Sequence, residues 1–304
     1  MGKKISQLNA NELPYDGHEL VAIVEAGETR GGTLSSFMNY LTGGVYNSLG
    51  GTPGVQPIAS PLKNNFFITT QTIAGDLSGT GRLTIGTSQS ASGTLATIAG
   101  GTGNTASGGC ATVGGGKSNI ASAALTTVGG GNGNTASGTC ATVGGGCNNC
   151  ASGTNTFIGA GMSNTASANR ATITGGYGNT AAGVRAFVGG GQLNCATSTD
   201  STVAGGLSVS ATDIGAFAGG GTLNGACGCG STVVGGLSNR ATASNAFIGG
   251  GGQNAVHGLS AVAVGGRLNV ASGTLSFVGG GDSNKATAAC SITVVPPPPP
   301  QKRM

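Results

Sequence analysis

Tryptophan is absent from this chain, aromatic residues make up 4% of it and charged residues 7%. So few large side chains cannot fill the thick interior of an ordinary globular domain. Long apolar runs are missing as well: no stretch approaches the roughly 18 residues that span a bilayer. The opening MGKKISQLNANELP has no apolar segment of the kind that directs secretion. The expectation is a protein made and kept in the cytosol before assembly, without membrane insertion. Basic residues number 13 against 9 acidic ones, a formal charge of +4, and they are scattered apart from Lys3-Lys4 and Lys302-Arg303. Nucleic-acid binding needs a basic stripe interleaved with aromatics, so that class of partner is not expected.

What the chain has in abundance is glycine, 63 of 304 residues. No Gly-X-Y triplet runs through it, which excludes collagen, and regularly placed Val, Ile and Ala argue against disorder. A thin, repetitive fold remains.

The repeat is legible in NTASGTCATVGGG, Asn134 to Gly146. Asparagine recurs at 104, 119, 134, 149, 164, 179 and 194, and again at 224, 239, 254, 269 and 284; Val209 alone breaks the series, and Gln89 holds the place one cycle earlier. Fourteen cycles of 15 residues therefore run from 89 to about Val295 without an insertion. Counting asparagine as position zero, position two is Ala in nearly every cycle, position nine is mostly Val or Ile, and position twelve is Gly from Gly101 to Gly281. Short β-branched segments separated by Gly and Asn are strands separated by turns, and strict periodicity stacks each strand on its copy. Glycine suits corners that need positive φ. The asparagine has two readings that sequence does not separate, a turn former or a stacked amide ladder.

A second period lies inside the first. Position eight is Phe at Phe157, Phe187, Phe217, Phe247 and Phe277, with Thr172, Thr202, Thr232 and Val262 in the cycles between. Neighbouring residues of a strand point to opposite faces. If position nine fills the bore, these phenylalanines point outward as an apolar strip that an identical chain would cover, a homotrimer interface. The opposite reading, Phe inward, stays open because short apolar runs do not fix the face.

Residues with chemistry are few. Cys147 and Cys150 spell CxxC, and Cys227 and Cys229 spell CxC, yet no partner pair or histidine stands at metal spacing. They read as small half-apolar replacements for Ala, Thr or Ser, against a zinc or redox site as the alternative. Acids in the repeats are limited to Asp200, Asp213 and Asp282, and the histidines to His18 and His257 in different regions. A glycan-cleaving pair would have to come from Asp200 and Asp213. Calcium-binding turns would carry aspartates where this chain has GGGKSN and GGGNGN. An ice-binding face would need an unbroken Thr array, which Phe at position eight interrupts. No catalytic residue, cofactor or metal ligand is assigned, and an enzyme is not expected.

Cycles of the form N-x-A-S-G-x-x-A-T-V-G-G-G, from Asn104 and again from Asn134, resemble the head repeats of YadA-like trimeric adhesins and similar repeats of phage tail fibres. The resemblance implies an all-β, left-handed parallel β-roll with one repeat per coil, three chains side by side and a role in attachment. Trimeric autotransporters carry a signal peptide and a membrane anchor, which this chain does not show. The segment Lys3 to Leu41, KKISQLNANELPYDGHELVAIVEAGETRGGTLSSFMNYL, resembles the virion-proximal part of phage fibre and appendage proteins. In it, Leu20 to Val24 reads as a strand, Gly27-Glu28 as a turn, and Thr33 as the cap of a short helix presenting Leu34, Phe37, Met38 and Leu41.

The expected organisation is an α+β docking module over 1–45 using Leu20, Val24, Leu34, Phe37 and Leu41, and a linker and irregular β lead-in over 46–88 whose Phe66 and Phe67 cap the first coil. The roll covers 89–295 and a proline-rich tail 296–304. Stacking at about 4.8 Å per coil gives a shaft of roughly 65 to 70 Å. The expected function is a trimeric virion fibre or appendage, assembled in the host cytoplasm. It would join other virion proteins through its N-terminus and meet a host glycan or protein by multivalent contact. A bacterial surface adhesin and a fibre-borne depolymerase are the alternatives.

Overall fold

The computed structural model describes residues 86–294 throughout, and before them the backbone of strands Leu20–Glu25, Glu28–Thr33 and Leu83–Thr84. The expected helix after Thr33, the cap by Phe66 and Phe67, the linker and the proline tail lie outside the described residues. The chain divides into two compact units, Met1–Ile73 and Ala74–Met304.

In the first unit, β1 (Leu20–Glu25) and β2 (Glu28–Thr33) pair antiparallel with Glu25 opposite Glu28 and Leu20 opposite Thr33. The strand expected from Leu20 is present, but its neighbourhood differs from expectation. Glu28 opens β2 instead of sitting in the turn, and Thr33 closes the ladder as its last residue. A two-residue connection containing glycine is the commonest way to join antiparallel strands.

The second unit is an all-β parallel solenoid. Positions one and two form a 14-stranded ladder from Ser90–Ala91 to Lys285–Ala286, and positions eight and nine a 15-stranded ladder from Leu83–Thr84 to Ile292–Thr293. Single bridges at position thirteen, from Thr87 to Asp282, make a third. Every partner lies 15 residues away except at the start, where Leu83 pairs with Thr97. The ladders thus begin ahead of Gln89, inside the segment expected to be an irregular lead-in.

The bore is narrow, and its contents follow from that. Position nine is fully buried in every turn from Ile98 to Val278, and so are the alanines of position two from Ala106 to Ala271. Position seven is buried Ala, Thr or Ser. Nothing larger than isoleucine faces inward, so burial stabilises each turn by only about 1.5–3 kcal/mol per Val or Ile.

Hydrogen bonds supply the rest. The asparagines of position zero are buried, 0–1% exposed from Asn104 to Asn269, and none of them has positive φ. The amide of Asn104 donates to the carbonyls of Gly100 at 3.0 Å and of Gly116, one turn on, at 2.9 Å, while its Oδ1 accepts the N–H of Asn119 at 2.9 Å. The pattern repeats down the stack, so of the two readings the ladder holds, with side chain bonded mainly to backbone. Direct amide-to-amide bonds occur only at Asn149, Asn164 and Asn254 among the described residues. Val209 still donates its N–H to Asn194, but offers no side-chain oxygen to Asn224.

Two corner types complete the turn. At position twelve φ lies between +81° and +108°, and a Cβ would come within 1.9–2.4 Å of the next turn's carbonyl, so only glycine fits. Positions six and fourteen are also left-handed but tolerate side chains: Leu95, Leu125, Arg170, Leu193 and Leu223 have φ of 55–60°. Each such conformation costs about 1–2 kcal/mol. It is held because the N–H turns back to the preceding coil, as Cys110 does to Thr94 at 2.8 Å.

Candidate interaction surfaces

Every residue that leaves the bore stands in a vertical column of its equivalents. The solenoid therefore presents ruled surfaces, and what each can bind depends on what its columns repeat.

The phenylalanines of position eight face outward. Phe157 is 43% and Phe217 37% exposed, Phe187, Phe247 and Phe277 are partly covered, and the position-nine neighbour of each is fully buried. The inward reading is thereby excluded. Each ring lies along its own turn, its Cε1 3.3–3.5 Å from where a Cβ would stand on the glycine two residues later: Gly159, Gly189, Gly219, Gly249 or Gly279. Between Phe157 and Phe277 the turns without Phe carry Thr174, Ala204, Val234 and Val264 at that place, while earlier Phe-less turns carry Gly114, Gly129 and Gly144. This pairing of Phe with Gly escaped the sequence reading, although its 30-residue period was there to be counted.

The third ladder carries a second apolar column, also missed. Met162, Tyr177, Leu207 and Leu237 are 40–52% exposed along it, and Leu193 and Leu223 stand beside it at 50% and 58%. A column of isolated bridges has no alternating strand pattern to betray it.

The first ladder is different. Its outward positions are mostly Thr, Ser, Ala and Cys, and it bears Arg240 and Lys285. Gly225 stands where other turns have a side chain, leaving a depression of about 560 Å³ bounded by Ser210, Thr212, Leu223, Cys227 and Arg240. It contains one cation, several hydroxyls and no carboxylate, which suits contact with a polar surface and supplies no acid–base pair.

The two candidate carboxylates are each engaged. Asp200 receives two hydrogen bonds from the Arg185 guanidinium one turn below, at 2.6 and 2.7 Å, and this pairing holds its carboxyl below the usual range. Asp213 accepts the N–H of Ile214 at 2.7 Å within its own corner. All eight cysteines are free thiols; burial pushes that of Cys195 up, which disfavours the reactive thiolate. Among the described residues no group of three His, Cys, Asp or Glu side chains could hold a metal.

Of the expected docking residues, Leu20 and Val24 lie in β1, while Leu34, Phe37 and Leu41 fall outside the described residues. Comparison with known proteins finds no matching family model and no matching curated sequence. Fold and surfaces together define the class: a parallel β-solenoid repeat protein of about 14 turns.

Proposed function

We propose that this protein is a non-enzymatic structural fibre or appendage of a phage particle, a homotrimer that docks through its N-terminal module and presents the solenoid toward a host surface. The observation that carries this is the outward column of five phenylalanines on an uninterrupted shaft. A stack one isoleucine deep cannot cover such rings itself, and fully burying one is worth about 1.5–3 kcal/mol. Assignment to a phage particle draws on the resemblance of Lys3 to Leu41. Three parallel copies repeat each polar surface three times, so weak contacts with a glycan or protein add by avidity.

Nothing favours a depolymerase over this reading, because Asp200 is held by Arg185 and Asp213 by its own corner. The test is sedimentation equilibrium of the full chain, followed by antibody-gold imaging of purified particles. A mass three times the 28.8 kDa chain, with label at one defined place on the particle, is expected. A monomer, or label only on uninfected cells, refutes the proposal.

A further inference from the structure

Two outward columns share a period of two turns, and they are out of phase. On the second ladder, Phe187, Phe217 and Phe247 alternate with Thr202 and Thr232. On the third ladder, Tyr177, Leu207 and Leu237 alternate with Gln192, Thr222 and Gly252. Position thirteen is thus small or polar in the turns that carry these phenylalanines, and large in the turns that do not. Met162, in the first Phe turn, is the exception at one end. Two turns rise about 9.6 Å, so both surfaces are corrugated on that repeat.

Corrugation of this kind is covered only by a body with the same repeat and direction. Ordinary globular surfaces have no such period, whereas the chain itself carries one. A second copy, parallel and at the same height, would set its gaps at Gln192, Thr222 and Gly252 level with the Phe187, Phe217 and Phe247 rings. Tyr177, Leu207 and Leu237 would then pass above and below each ring. Charge agrees: between Met162 and Gly252 neither column holds a charged residue. Arg170, Arg185 and Asp200 occupy the corner between the first two ladders, and Arg240 the first ladder itself.

We infer that the phenylalanine face of one copy seats in the Tyr177–Leu207–Leu237 ridge of the next, a heterologous contact. This inference rests on the self-assembly proposed above and names its two halves. Because the copies sit at equal height, the operation relating them has no rise along the shaft, so it builds a ring where its rotation closes and no helical filament. The first ladder, with its depression at Gly225, stays on the outside.

Photo-crosslinking separates this inference from the reading beneath it. The full chain with Phe217→p-benzoylphenylalanine is mixed with ¹⁵N-labelled chain of the same kind, irradiated and mapped by mass spectrometry. Mixed-isotope links to Leu207, Thr222 or Leu237 are expected. Links from 217 to the partner's Phe187 or Phe247, or an assembly that sediments as an oligomer without links to the ridge, overturn the inference and leave self-assembly standing. A monomer refutes both. A second variant checks the gap: Thr222→Trp should weaken assembly at least about tenfold, the scale of an overpacked contact, while Ser167→Trp beside the first ladder should not. The reverse result also overturns the inference.

Discussion

Replacing Asn164 by alanine tests the physical basis of the stack. Asn164 accepts the N–H of Asn179 at 3.0 Å, and its amide donates to Ala160 O at 3.2 Å, Gly176 O at 2.9 Å and Asn149 Oδ1 at 3.0 Å. Two of these partners are not orphaned by Asn164→Ala. Gly176 O keeps the N–H of Met162 at 2.9 Å, and Asn149 Oδ1 keeps the backbone N–H of residue 164 at 3.0 Å. Ala160 is exposed, so water can reach its carbonyl. The N–H of Asn179 is left with nothing, in a residue that is 0% exposed. A buried unsatisfied donor costs about 1–3 kcal/mol, and the bonds lost outright add about 1 more. Asn164→Ala should therefore destabilise by about 2–4 kcal/mol, whereas Asn169→Ala, on the exposed corner, should stay within about 0.5 kcal/mol.

Repeat stacks open locally, so amide hydrogen exchange is the decisive assay beside urea titration. Protection of the Asn179 amide should fall in Asn164→Ala and remain in Asn169→Ala. Val209 provides the reciprocal experiment, since Asn224 receives no acceptor from it. Val209→Asn should add about 0.5–1.5 kcal/mol and protect the Asn224 amide, the gain reduced by the apolar contact given up. Equal stability of Asn164→Ala and Asn169→Ala, with unchanged exchange at Asn179, would refute the argument that the ladder holds the coils together.

Glycines of adjacent columns should behave oppositely. Gly176→Ala places a Cβ 2.1 Å from Gly191 O at φ +93° and should cost more than about 3 kcal/mol, while Gly145→Ala, with nothing within 4 Å, should lie within about 0.5 kcal/mol by thermal melting. Buried Ser276 Oγ has no hydrogen-bond partner, unlike Thr156 Oγ, which donates to Gly153 at 2.8 Å. Ser276→Ala should stabilise by about 1 kcal/mol in urea titration, and Thr156→Ala should not. The Asp200 carboxyl titrates below its unfolded value, so its small contribution is present above the ordinary carboxylate pKa and lost as pH falls through the lower folded value. The melting difference between wild type and Asp200→Asn should accordingly be seen at neutral pH and vanish in strong acid.

The solenoid was legible because stacking forces it. A bore this narrow admits Val or Ile at one place and no side chain at another, and both constraints print themselves on the chain every 15 residues. The outward set of Phe was legible only as one of two readings, and the burial of the position-nine residue beside each ring decides between them. Asparagine was not, because turn former and ladder use the same residue at the same spacing, and only its burial tells them apart. The third ladder was silent for a different reason: one residue per turn forms no alternating pattern.

That silence bears on where function is written in such a fold. Inward columns are fixed by packing and differ little from turn to turn, so they carry no information beyond the architecture. Outward columns are free, and a free column varies without order unless something outside imposes order on it. The first ladder shows that freedom, running Thr, Cys, Ser, Gly, Arg and Ala at position one from Thr180 to Ala255. Positions eight, ten and thirteen instead keep a two-turn alternation across most of the span from Phe157 to Phe277. Part of it is internal, since each of these Phe rings lies against the glycine two residues later. The alternation at position thirteen is of another kind: Gln192, Thr222 and Gly252 share smallness or polarity, and the first two are followed by Leu193 and Leu223, whereas Tyr177, Leu207 and Leu237 are followed by Gly or Ser. On the proposed assembly its cause is the neighbour's ring, which makes Thr222 and Gly252 more informative substitutions than the phenylalanines themselves.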